Sequence, residues 1–443
     1  MMLLTLFKKI STYNNKVAII QDDLKFTYND LKDEILRYKE YYSKLEIRNK
    51  VILFDFNFSF NKISELISLL MLNNIIALYD FKINKNVINY EDYNIEFLIN
   101  NDGLVKVNSN KEIDRNIKKL KNAEASGLII FSSGSTGKPK AILHDLNKLF
   151  KKFNEKKKVL RIFSLLSPEH IGGINTLFHS IYNGGEFILL MDKSPSNVGK
   201  AISKYKIECL NVTPTFLNML VFSDNFKELD LSSLKILNYS GEVVNEATLL
   251  ILKEKLKDAK ICQSYGLTEL GILTSHTKKE DPTWIKFDDN FDFKIINNIL
   301  FVKIESSMLG YVNLENPFDE CGYFNTGDII EEKNGYYRII GRESNLINIG
   351  GSKIYPKEIE NVILKIPEVI DCIIIPKKNL VTGNHIECCI YIKDLESKEL
   401  IKQNIKKVCF NELPNYAFPQ KIFFVNEPLI NHRLKKAVIK ENI

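Results

Sequence analysis

Between residues 132 and 140 the chain reads Ser132-Ser133-Gly134-Ser135-Thr136-Gly137-Lys138-Pro139-Lys140. Serine and threonine hydroxyls, two glycines and two lysines are packed into nine residues. Glycine lets a backbone turn sharply and come close to a ligand. Successive backbone N–H groups, hydroxyls and ammonium groups together suit an oligophosphate. A P-loop has four residues between its glycines and Ser or Thr after its lysine. Here two residues separate Gly134 from Gly137, and Pro139 follows Lys138, so this is not a P-loop. A short Ser/Gly run in isolation is usually a surface turn, so the reading depends on what else the chain carries.

Further segments carry matching chemistry. Tyr265-Gly266-Leu267-Thr268-Glu269 ends on a carboxylate. Mg2+ takes oxygen ligands, commonly one or two carboxylates plus phosphates. Thr326-Gly327-Asp328 offers a carboxylate able to accept from two neighbouring hydroxyls. Ser240-Gly241-Glu242 follows an apolar strand, and Asn431-His432-Arg433-Leu434-Lys435-Lys436 lies near the C-terminus. Each alone has a plainer explanation: a strand-ending turn, a helix cap, an Asp in a turn, a basic tail.

Taken in order, these segments resemble the adenylate-forming superfamily of acyl-CoA synthetases, luciferases and peptide-synthetase adenylation domains. The resemblance runs from Phe26-Thr27-Tyr28 to the C-terminal lysines and is nearest to acyl- or aryl-CoA ligases. It implies that residues 132–138 and Lys140 cradle the phosphates of ATP. It implies that Ser240, Gly241 and Glu242 lie beside adenine and that Tyr265 and Gly266 pack on it. Thr268 would touch phosphate, Glu269 and Thr136 would hold Mg2+, and Asp328 and Arg342 would bind ribose. Gly350, Gly351 and Lys353 would form a loop that swings in for thioester formation. His170, in Pro168-Glu169-His170-Ile171-Gly172-Gly173, would sit near the substrate carboxylate. A C-terminal lysine would bridge that carboxylate and the α-phosphate. Leu434 replaces the usual Gly before this lysine, which leaves Lys435 and Lys436 as alternatives; the spacing from Asn431 favours Lys435. Ala141 also stands where Gly is commoner, and Thr274 to Asp292 lacks the usual Gly/Pro-rich run.

Elements must position these groups. Apolar runs at Val51–Phe56, Ile75–Tyr79, Leu128–Phe131, Ile207–Val212, Leu234–Tyr239 and Lys260–Ser264 read as strands, alternating with helical segments such as 63–72. Thr27 or Asn29 is a plausible helix cap. This alternation predicts a mostly parallel, helix-covered sheet. From about Trp284, strands without intervening helices predict a small antiparallel or barrel-like unit. Pro356 to Ile366 predicts a helix, with Ile359, Val362, Ile363 and Ile366 on one face. The fold class is therefore α/β; the resemblance implies a large N-terminal AMP-binding domain, residues 1–341, of helix-covered sheets plus the barrel-like unit, then a small mobile α+β lid, residues 342–443. The boundary comes mainly from the resemblance.

Bulk properties narrow the class. The 443 residues exceed one ordinary core. A net charge of +6 from 61 basic and 55 acidic residues is small for this size, and no nucleic-acid-binding module is visible. Seven cysteines, with no Cys-x-x-Cys, predict buried thiols in a reducing cytoplasm. Six dispersed histidines argue against zinc. The stretch Ile63–Tyr79 is interrupted by Glu65, Asn73 and Asn74, so no membrane span is expected.

The implied reaction is ATP-dependent activation of a carboxylic acid, then transfer to a thiol, either coenzyme A or the phosphopantetheine of an acyl carrier protein. Amino-acid-activating relatives place an Asp near His170; its absence favours a fatty, aryl or other non-amino acid. Alternatives are loading of an acyl or amino acid onto a carrier protein, a luciferase-like oxygenase, and a catalytically silent nucleotide-binding protein.

Overall fold

The computed structural model describes residues 2–81, 88–107, 111–132, 139–223 and 226–430. Thr27 caps the helix Tyr28–Lys44: its hydroxyl accepts from the Asp30 N–H and the Asp30 carboxylate accepts from the Thr27 N–H. The strands Val51–Asp55 and Ile75–Tyr79 are buried at every position, as a strand covered on both faces must be.

Two seven-stranded sheets form the large domain. In the first, Lys260–Ser264, Ile236–Ser240, Cys209–Val212, Arg161–Ser164, Glu186–Leu189 and Val17–Gln21 run parallel, with Leu24–Thr27 antiparallel at the edge. The second has Ile75–Tyr79 and Val51–Asp55 at its centre. There Gly127–Ser132 and Lys140–Asp145 form the hairpin that carries the Ser/Gly loop, and the two-residue strand Gly310–Tyr311 adds to its edge. Between the sheets lies the largest apolar cluster. It draws Leu6, Ile35, Leu66 and Phe178 from four helices, Ile52 and Phe54 from one sheet and Ile19 and Phe187 from the other. A second cluster covers the outer face of the first sheet.

Apart from Gly310–Tyr311, the strands from Ser275 to Arg342 form a six-stranded antiparallel sheet with no helix between them. The small C-terminal domain has its own core, including Ile347, Ile359, Cys372, Ile390 and Cys409. The helix Pro356–Ile363 stops one turn short of the sequence expectation. Pro367 lies just beyond, and a residue preceding proline is disfavoured in helical geometry. Among the described residues no helix is long and apolar enough to cross a membrane.

Candidate active site

Parallel α/β sheets leave a crevice at the carboxyl ends of their strands. Here that crevice deepens into a cavity of about 300 Å³. Gly241 and Glu242 line it from beyond Ile236–Ser240, and Ser264, Tyr265 and Gly266 from the end of Lys260–Ser264. Asp328 and Arg342 enter from the antiparallel sheet. Gly266 is needed for its size: a Cβ there would meet the Gly271 carbonyl oxygen at 2.5 Å.

Asp328 and Arg342 are register partners on adjacent strands. The Arg342 Nε donates to Asp328 Oδ1 at 2.9 Å, and the Tyr265 hydroxyl donates to Oδ2 at 2.7 Å. Burial pushes the Asp328 carboxyl upward, while Arg342 and Tyr265 pull it back. Burial, reinforced by the Asp328 charge, holds the Tyr265 phenol well above its ordinary value, so it stays a donor. Glu242 accepts from the Thr215 hydroxyl at 2.6 Å, which aims its carboxylate along the wall. Ser240 ends its strand, half-buried.

The phosphate side is anchored at its ends. Ser132 pairs with Lys140 across the hairpin; Ser133, Gly134, Ser135, Thr136, Gly137 and Lys138 lie outside the described residues. Asn313 grips both sides of Lys140: its Nδ2 donates to the Pro139 carbonyl at 2.9 Å, and its Oδ1 accepts from the Ala141 N–H at 3.0 Å. Two residues earlier, the Tyr311 hydroxyl donates to Glu269 Oε1 at 3.0 Å. Burial first, and the Glu269 charge second, keep that phenol protonated. The Met308 N–H donates to the Glu269 carbonyl at 2.7 Å. The Lys140 ammonium stands 5.4 Å from the Tyr311 ring centre. On the far side, His144 Nε2 lies 2.7 Å from the Thr268 carbonyl. A carbonyl only accepts, so Nε2 carries the proton. Burial pushes the imidazole down to about 4, which keeps it neutral.

Tyr311, Asn313 and His144 were not singled out by sequence reasoning. The signal available was slight: Gly310-Tyr311-Val312-Asn313, and one histidine inside an apolar strand.

Other candidates fall elsewhere. His170 caps the helix Ile171–Asn183, with Nδ1 accepting from the Gly172 N–H at 3.1 Å. Gly350 and Gly351 adopt positive φ in an exposed turn, and Lys353 is exposed; none of the three lines the cavity. The first turn of the next helix does so instead, through Tyr355 and Lys357. Glu358 accepts from the Tyr355 N–H at 2.8 Å, and Glu360, which also lines the cavity, pairs with Lys357 at 3.5 Å. Asn431, Lys435 and Lys436 lie outside the described residues.

Comparison with known proteins identifies the family. The AMP-binding enzyme family matches residues 83–290, and the AMP-binding enzyme C-terminal domain matches residues 358–436. VraA of Staphylococcus epidermidis is 23% identical over 434 residues, covering 93% of this chain and 91% of its own. A long-chain-fatty-acid–CoA ligase of Haemophilus influenzae is 28% identical over 247 residues, 52% of this chain and 43% of that one. The crystal structure of the anthranilate CoA ligase AuaEII superposes with a TM-score of 0.82 at 19% identity, covering 98% of this chain and 95% of that one. The chain belongs to the AMP-binding enzyme family of adenylate-forming enzymes.

Proposed function

We propose that this protein activates a non-amino carboxylic acid with ATP and passes the acyl group to a thiol, with coenzyme A as the acceptor. The observation that carries this reading is the Tyr265–Asp328–Arg342 constellation on the cavity wall. It is a buried, countercharged carboxylate with acceptor capacity that would suit a sugar diol. One oxygen of the substrate carboxylate attacks the α-phosphorus and pyrophosphate leaves. The thiol sulfur then attacks the acyl carbon and AMP leaves. No protein nucleophile is required; the residues position groups and offset charge.

Glu269 suits Mg2+: it is a hard oxygen donor, half-buried, with only Oε1 engaged among the described residues. Glu269 and Thr136 would hold the ion, which supplies charge compensation for the phosphates when bound. Tyr311 and Asn313 tie the Glu269 carboxylate to the exit of the phosphate loop. Lys435 would lie between the attacking carboxylate and the α-phosphate, and His170 would border the acid. We place the domain boundary at Arg342, so that rotation of residues 342–443 exchanges Lys435 for the Gly350–Gly351 turn between the half-reactions. The buried thiols of Cys209, Cys388 and Cys409 suit a reducing cytoplasm.

ATP–pyrophosphate exchange with a panel of acids tests the first half. Thioester formation with coenzyme A and with a phosphopantetheinylated carrier protein tests the second. Exchange without transfer to coenzyme A, but with transfer to the carrier, would assign the acceptor to the carrier protein.

A further inference from the structure

Three parallel strands, Cys209–Val212, Ile236–Ser240 and Lys260–Ser264, place Asn211 opposite Asn238 and Ser240 opposite Ser264. Side chains alternate across a sheet. Leu210, Val212, Leu237 and Tyr239 therefore pack into the outer apolar cluster, and Asn211, Asn238 and Ser264 face the other way. These polar side chains form a directed ladder. The Ser264 hydroxyl donates to Asn238 Oδ1 at 2.9 Å, and Asn238 Nδ2 donates to Asn211 Oδ1 at 3.0 Å. Asn211 Nδ2 then donates to the Thr176 hydroxyl at 3.4 Å, and that hydroxyl donates to the Gly172 carbonyl at 2.8 Å.

The ladder starts at the nucleotide cavity, whose wall includes Ser264, and ends under the helix that His170 caps. Asn211 and Thr176 are buried; Asn238 and Ser264 are only half-buried. A carboxamide has two N–H donors and two acceptor lone pairs. Asn238 spends one of each within the ladder, which among the described residues leaves one of each at its accessible rung. An alkyl chain laid over this rung would strand them without partners, whereas a hydroxyl or carbonyl would satisfy them.

Resting on the acid-activating reading above, we propose that this ladder is the wall against which the acid lies. Asn238 is its specificity-determining residue. The site takes a carboxylic acid that carries its own hydroxyl or carbonyl group, in preference to an unsubstituted fatty or aryl acid.

The test is ATP–pyrophosphate exchange by the full chain with 2-hydroxybenzoate, 4-hydroxybenzoate and short 2-oxo acids, against benzoate, octanoate and palmitate. A site built to pair a polar substituent should favour at least one polar acid over its unsubstituted counterpart by about 10²-fold in kcat/KM. Asn238→Leu should bring that ratio to within severalfold of unity while leaving the KM for ATP in place. If the leucine variant loses its cooperative thermal transition, Asn238→Ala and the wild-type ratio decide. Palmitate or octanoate as the best substrate overturns the proposal, as does a ratio unchanged in the Asn238 variants. Exchange with none of the acids overturns the activation reading, and the role of the ladder with it.

Discussion

Two carboxylates in this molecule are each held by a tyrosine hydroxyl, yet their surroundings set them to different tasks. Asp328 is buried, with Tyr265 on one oxygen and Arg342 on the other. Its charge is already balanced, so what it offers a ligand is acceptor lone pairs, which suits neutral hydroxyls. Glu269 is half-buried, and Tyr311 on one oxygen is its only side-chain partner among the described residues. Its charge is left for a cation. On the function proposed above, the same local device, Tyr O–H to carboxylate, would give a sugar-binding group where a guanidinium is added and a metal-binding group where none is.

The strongest way to break this contrast is to remove the charge that is held open. Glu269→Gln retains a carbonyl for Tyr311 but loses the negative charge, and pyrophosphate exchange should fall by at least about 10³-fold with the fold intact. Near wild-type exchange would mean that the metal is held elsewhere. Lys435→Ala probes the cation proposed above to bridge the attacking carboxylate and the α-phosphate. Adenylation should slow by roughly 10²–10³, while thioester formation from pre-made acyl-adenylate survives. Lys436→Ala should be active; the reverse pattern shifts the register by one.

The balanced carboxylate should respond in binding. Asp328→Ala is expected to raise the KM for ATP by at least about tenfold and leave that for the acid nearly unchanged, the mark of uniform binding. An effect confined to the acid would remove Asp328 from the ribose. A finer probe is Tyr311→Phe, which deletes one hydrogen bond to a charged group. The Mg2+ concentration for half-maximal exchange should rise about five- to tenfold, and excess Mg2+ should restore the rate. An unchanged Mg2+ dependence would reduce Tyr311 to packing.

The smallest effect concerns His144. Burial lowers its pKa from 6.5 to about 4 in the folded state. The resulting stability is complete above pH 6.5 and is lost as pH falls from 6.5 toward 4. His144→Gln should therefore flatten the acid side of the thermal midpoint curve, by about one or two degrees at pH 4.5 for a chain of this size. Parallel wild-type and variant curves would assign the acid response to other groups.

Much of the site was legible in the sequence because its key residues come in contiguous runs. The loop from Ser132, the Tyr265–Glu269 segment and the Thr326–Asp328 turn each announce a chemistry within a few residues. Fold elements were legible for a similar reason: strands such as Val51–Asp55 are unbroken apolar runs, and Thr27 sits where a helix cap is needed. What stayed hidden depends on long-range pairing. Asn313 meets Pro139 and Ala141 across more than 170 residues, and His144 meets Thr268 across 124. The strand that carries Tyr311 is two residues long, too short for any periodicity. The amide ladder is spread over three strands and a helix, one polar side chain from each, and only the tertiary fold aligns them. Gly350 and Gly351 show the converse: a recognisable run whose turn stands away from the cavity, with the following helix in its place.

The nucleotide cavity takes its wall from two separately cored parts of the chain, since Tyr355 and Lys357 belong to the small domain and Tyr265 and Asp328 to the large one. A ligand filling that cavity binds fully only when both cores are folded and apposed. Its binding free energy is therefore shared between them by mass action. Without ligand the small core is expected to open on its own, so that melting should proceed in two units; with ligand the two should unfold more nearly as one. Nucleotide would thus act as a cross-link that carries no bond, and it should slow amide exchange even in the strand Gly383–Tyr391, none of whose residues lines the cavity.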